Sequence, residues 1–200
     1  LGNPFTPTEL VPFAMEGERL ACGSAHADNV APALLGGFTL VRDTNPLDVC
    51  KLPTPLELAA TVIHPKIEVK TADARAVLKK RVSLEKAINQ WANVGALVSS
   101  LYEEDYELLS RSLVDEIVEP SRSILIPRFA ELKTACERTG ALGSGISGSG
   151  PSVFALSRGM TTAHKVAQAM QEVYEKTDIP FEIHVSPVKQ NGVSFLEDIK

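Results

Sequence analysis

The stretch that most restricts how this chain can fold is ALGSGISGSGPSVFALS, residues 141–157. Its glycines at 143, 145, 148 and 150 run straight into an apolar segment. Glycine tolerates left-handed backbone and close approach, and it is a poor helix interior residue. The segment therefore reads as a joint between a helix over about 128–138, ended by Gly140, and the strand SVFALS. Gly143, Gly145 and Gly148 formally satisfy G-x-G-x-x-G, but the dinucleotide fingerprint needs a strand before it and a helix after it. Here the order is inverted, and no G-x-x-x-x-G-K-[ST] is present. What remains is a run of glycines with Ser144, Ser147 and Ser149. Two readings stay open: a nest of inward N–H groups for an anion, or a flexible connector.

The flanking segments point to a mixed fold. Residues 6–20 carry a helix start, with Thr8 as the expected cap, and NVAPALLGGFTLVRD leads through a glycine pair into a strand at Phe38–Val41. The proline-rich NPLDVCKLPTPLE reads as the join between two parts. LELAATVIHP (56–65) has the β-branched, apolar character of a buried strand. KTADARAVL follows as a short helix behind Thr71. From Leu84, the residues Ala87, Ile88, Trp91, Val94, Leu97, Val98 and Leu101 recur at helical steps as one apolar stripe. A second helix is expected through Tyr106 and Ile117 up to Pro120, and another from Thr162. FEIHVSPV and GVSFLE, separated by KQNG, suggest a closing hairpin. Strands this few and scattered exclude a doubly wound sheet. They fit an α+β, two-layer sandwich of helices on a mostly antiparallel sheet.

Charge and cysteine content narrow the function classes. The 25 acidic residues outnumber the 20 basic ones, for a net charge of −5 without a basic stripe, which disfavours a nucleic-acid partner. Cys22, Cys50 and Cys136 lie far apart and are odd in number, so neither a disulfide framework nor a metal knuckle is indicated. A reducing, cytoplasmic location is the expectation. No apolar run approaches the roughly 20 residues that span a bilayer.

MEGERLACGSAHADNVAPALLGG crowds Glu18, His26, Asp28 and Asn29 beside small and apolar residues. Buried unpaired, such groups are costly, so they are either a ligand site or a turn whose side chains cap local backbone. Glu18 as a lone carboxylate suits Mg²⁺, which takes few protein ligands, while His26 lacks the companions a zinc site wants. His64, His164 and His184 read as structural. Arg75 and Arg122 carry forks that match a carboxylate, although either could be a solvated surface charge.

Together, GSAHADNVAPALLGGFTLVR, KTADAR, VEPSRSILIP and GSGISGSGPSVFAL resemble, in order and spacing, the homoserine kinase family of the GHMP small-molecule kinases. The resemblance extends over essentially all 200 residues. It implies a ferredoxin-like C-terminal GHMP kinase domain over 53–200, preceded by a remnant of the N-terminal kinase domain over 1–52. It implies ATP and Mg²⁺, with Glu18 completing the metal's coordination. His26, Asp28 and Asn29 would line the homoserine site, with Asp28 facing the ammonium group and Thr71 nearby. Arg75 and Arg122 would grip the carboxylate. Gly145, Ser147, Gly148, Ser149 and Gly150 would wall the triphosphate. The implied reaction is transfer of phosphate to the hydroxyl of L-homoserine, with no obvious general base in the chain. The implied partners are the two small-molecule substrates, neither nucleic acid nor membrane, with a homodimer admissible.

The family's P-x-x-x-G-L-G-S-S-A type loop is absent, so the chain looks like the C-terminal two-thirds of such an enzyme and is expected to be inactive alone. Two other functions fit the same pattern less well: an amino-acid-binding regulatory module, and another kinase of the superfamily. The paired arginines and Asp28 suit a zwitterion better than mevalonate.

Overall fold

The computed structural model describes residues 4–69, 74 and 76–194. The chain divides into two compact units, Leu1–Thr54 with Val188–Lys200, and Pro55–Pro187.

The first unit opens with α1 (Pro7–Cys22). Its cap is Thr6 rather than Thr8, because Pro7 can occupy the first turn without losing an amide bond. The Thr6 hydroxyl accepts from the Glu9 amide while Glu9 reaches back to the Thr6 amide, a reciprocal capping box. Helix α2 (Val30–Leu35) follows, then β1 (Phe38–Thr44) and β2 (Leu47–Leu52), which pair antiparallel. Half of the expected proline-rich join is therefore strand: Leu47 and Val49 pack against a small core of Val11, Met15, Ala27 and Ala31. Pairing with β1 overrides the signal of the flanking prolines.

Of the expected closing hairpin, the first arm is β6 (Phe181–Pro187) and the described residues after it form no strand. After Pro187 the chain joins the first unit, where the Gly37 amide donates to Lys189 O (2.7 Å) and the Val193 amide to Ala33 O (2.9 Å). A Cβ on Gly192 would lie 2.0 Å from Leu34 O, so this crossing requires glycine. The second arm of the expected hairpin extends into residues 195–200, outside the described residues.

The second unit is built on a four-stranded sheet in the order β4 (Gly143–Ile146), β5 (Val153–Arg158), β3 (Leu58–Pro65), β6 (Phe181–Pro187), with every neighbouring pair antiparallel. Thr61 and Ile63 face the same way as Ala155 and Val153 and are covered by α6 (Phe129–Arg138) and α7 (Met160–Tyr174). Leu132, Val166, Met170 and Tyr174 complete that core. Thr61, fully buried, donates its hydroxyl to Ala163 O at 3.0 Å and so ties β3 to α7. This is the α+β sandwich expected.

Three further helices precede α6: α3 (Leu84–Glu103), α4 (Tyr106–Ser112) and α5 (Glu119–Arg122). The expected second helix stops at Ser112, because the Asp115 carboxylate accepts from the amides of Ile117, Val118 and Glu119 and starts α5 instead. Pro120 thus begins a helix rather than ending one. The single stripe expected along α3 splits into two sides: Leu97, Ser100 and Leu101 pack inward, while Leu84, Ile88 and Trp91 are exposed.

Tyr174 is fully buried and donates its hydroxyl to Pro127 O at 2.8 Å. Burial pushes its phenol up to about 12 and the Cys136 thiol up to about 11. Folded, both groups hold their protons at a pH where the unfolded chain has released them. Their contribution is complete below pH about 9 and declines as pH rises toward about 12. Tyr174→Phe should cost about 1 kcal/mol at neutral pH, since it leaves Pro127 O unpaired. Urea unfolding across the alkaline range should also show a shallower loss of stability than in the parent.

Candidate functional site

The glycine segment is not one continuous loop. Gly143–Ile146 form β4, so the helix leads into a strand and residues 147–152 are the turn of a β4–β5 hairpin. Propensity hides this strand because glycines occupy two of its four positions; its existence comes from pairing with β5. The turn is closed by the Ser147 amide donating to Ser152 O (2.8 Å) and the Gly150 amide donating to Ser147 O (3.0 Å). The amides of Gly148 and Ser149 take no backbone partner among the described residues. Gly148 adopts φ +60°, the left-handed conformation that turns successive amides to one side.

Arg122 is attached to this turn. It ends α5, is half-buried, and donates from Nη1 to Gly148 O (3.0 Å) and from Nε to Ala74 O (3.3 Å). Among the described residues no carboxylate pairs with it. A guanidinium held by two carbonyls keeps a fork of donors whose geometry matches a carboxylate or phosphate. The neighbouring Glu119 is neutralised instead by Lys133.

One contributor was missed by sequence reasoning. His64, taken as structural, has polar company: its Nδ1 lies 2.8 Å from Ser152 Oγ, at the end of the hairpin turn. The pairing of Ile63 with Val153 sets this contact, and no local signal predicts it. His184 also has a polar neighbour, lying 3.8 Å from the Glu182 carboxylate. Lys66 donates to that carboxylate and holds it below the usual range.

Beside the hairpin is a cavity of about 220 Å³ lined by apolar residues such as Leu97, Leu113 and Phe154 and by polar ones such as Asn93, Asp115 and Glu119, together with Gly145 and Gly148 of the glycine segment. Its volume is below the roughly 300 Å³ at which ligand sites begin.

The other expected site residues lie in the first unit. His26 Nδ1 is 3.6 Å from Glu18 Oε1. Asp28 and Asn29 are exposed and make no side-chain hydrogen bond among the described residues. The alternative in which Asp28 and Asn29 cap local backbone through their side chains is thus not what the structure has. Thr71 and Arg75 fall outside the described residues. No cluster of three or more potential metal ligands occurs among the described residues. A single carboxylate such as Glu18 fits a Mg²⁺ ion that arrives on phosphates, not a resident metal cage. No helix among the described residues is long and apolar enough to cross a membrane.

Residues 97–176 match the family described as GHMP kinases C terminal, and the glycine hairpin, Arg122 and the α6–α7 layer all lie within that span. This part of the chain is similar to the C-terminal domain of the GHMP kinases. Over 198 residues the chain is 51% identical to a homoserine kinase of Chlorobium phaeobacteroides (strain BS1), covering 98% of this chain and 62% of that protein. The crystal structure of homoserine kinase from Cytophaga hutchinsonii ATCC 33406 is 55% identical with a TM-score of 0.91, covering 96% of this chain and 61% of that one. The crystal structure of L. major mevalonate kinase in complex with R-mevalonate shares the fold at a TM-score of 0.69 and 18% identity, covering 92% of this chain and 60% of that one. The chain thus spans about three-fifths of the length of the curated relatives it matches.

Removing the Arg122 side chain should release the hairpin turn without unfolding the domain. Hydrogen exchange on Arg122→Ala should show faster exchange at residues 147–150 and little change in β3. Global stability should fall by about 1–2 kcal/mol. Unaltered exchange in the turn would show that the guanidinium does not hold it.

Proposed function

We propose that the protein transfers the γ-phosphate of ATP to the side-chain hydroxyl of L-homoserine, in the cytoplasm, as the relatives named homoserine kinase suggest. The observation that carries the reading is the half-buried Arg122, bonded to the glycine hairpin and without a carboxylate partner among the described residues. In this reading Arg122 and Arg75 bind the amino-acid carboxylate, and Asp28 binds the ammonium group. His26, Asn29 and Thr71 shape the remainder of the substrate site. Fixing both charged ends leaves the hydroxyl as the only group free to approach phosphorus. The amides of Gly148 and Ser149, with Gly145, Ser147 and Gly150 around them, stabilise phosphate charge. Glu18 holds Mg²⁺, which when bound neutralises charge on the phosphates. We assign residues 1–52 to the end of an N-terminal kinase domain and 53–200 to the C-terminal one.

Phosphoryl transfer depends on positioning more than on covalent help from the protein, which suits a chain with no evident base. ADP release should be measured with homoserine in a protein of the relatives' full length. Arg75→Ala and Arg122→Ala should each raise the KM for homoserine about tenfold or more, since one half of a charged clamp is worth about 1.5–3 kcal/mol. An unchanged KM removes that arginine from the site. Residues 1–200 alone should show no turnover, and homoserine-dependent ADP release from them would overturn that part of the reading.

A further inference from the structure

The glycine turn is held at two points, by side chains from two different elements. At its tip, Gly148 O accepts from Arg122 Nη1 of α5 (3.0 Å). At its foot, Ser152 Oγ lies 2.8 Å from His64 Nδ1 of β3, and both residues are half-buried. The Ser152 carbonyl also accepts the Ser147 amide (2.8 Å), so the bond to His64 fixes the residue that closes the turn. This contact lies one step beyond Ile63 and Val153, the last pair of the β3–β5 ladder on that side. It carries the hold of the sheet past the end of its backbone bonds and into the turn. Glu182, the register partner of His64 on β6, has its carboxylate occupied by Lys66 (2.8 Å), which leaves the ring to Ser152.

We propose that His64 is a positioning residue for the phosphate side of the site: through Ser152 it holds the Gly148 and Ser149 amides where they meet the triphosphate. This role rests on the phosphoryl-transfer reading given above. In that reading the two anchors have different tasks. Arg122 also faces the amino-acid carboxylate, so its guanidinium is shared between turn and substrate. His64 bonds to the turn and to neither substrate, so its loss reaches the nucleotide and leaves homoserine alone. The imidazole suits this position. The Ser152 hydroxyl donates to Nδ1 when the ring proton is on Nε2, and accepts when Nδ1 carries it, so the bond survives either tautomer. Donors fixed in advance stabilise phosphate charge without reorganisation, and a turn loose at its foot gives up that advantage.

Two measurements test this. In the 200-residue chain, hydrogen exchange on His64→Ala should be faster at the Ser147 and Gly150 amides and unchanged in α7. In a protein of the relatives' full length, His64→Ala and Ser152→Ala should each lower kcat/KM for ATP about tenfold, with the KM for homoserine within about twofold of the parent. The double variant should lose no more than either single one, because both remove the same bond. His64→Asn, whose side-chain amide reaches the Nδ1 position, should recover most of the loss. Tyr174→Phe, which lowers stability away from the turn, should change neither constant, so a loss confined to ATP is not a consequence of a weaker fold. The proposal is overturned by unchanged exchange in the turn, or by an unchanged kcat/KM for ATP in His64→Ala. An equal rise in the KM for homoserine, or a His64→Asn variant no better than His64→Ala, makes His64 a general structural residue and overturns it too. A full-length parent without homoserine-dependent ADP release overturns the kinase reading and this role with it, whereas failure in the variants alone overturns only the role.

Discussion

Strand β3 is held on one edge by β5 and on the other by β6, both far along the chain, and the rest of the second unit depends on that double pairing. Neither neighbour can form its ladder until the intervening helices have been folded out of the way. The loop-closure entropy is therefore committed before the hydrogen bonds return it. Once formed, the sheet presents Thr61, Ile63, Val153 and Ala155 as one face for α6 and α7. The same pairing turns β5 back on β4 and so generates the glycine hairpin. The sheet positions the glycine turn by register rather than by contacts of the turn itself.

Around that turn the polar groups are arranged economically. Two of its amides close the hairpin and two remain available, while Arg122 from α5 and His64 from β3 approach it from different elements. Among the described residues Arg122 has carbonyl partners and no carboxylate, which distinguishes it from a salt bridge such as Lys133 with Glu119.

Helix α3 faces two environments. Its inner side packs on the domain and borders the small cavity; its outer side leaves Leu84, Ile88 and Trp91 exposed. The helical period is plain in the sequence. Which apolar residues belong to which side is not, because Leu97 and Val98 are adjacent in the chain and belong to different sides.

Short-range chemistry explains what was legible. The spacing along α3 and α7 acts within a few residues, so these helices can be read directly, whereas the cap of α1 moved from Thr8 to Thr6. The phrases around His26, Arg122 and Gly148 likewise mark candidate site residues by local composition. What could not be read depends on partners distant in the chain. β4 is a strand despite two glycines, β2 is a strand despite flanking prolines, and Gly192 packs against the Leu34 carbonyl. His64 meets Ser152 only through sheet register. The sequence alone determined most of the helices, the α+β class and the residue types of the candidate site. Tertiary structure decided which strands exist, what Arg122 holds and which side of α3 stays open, because hydrogen-bond pairing and burial belong to two segments at once.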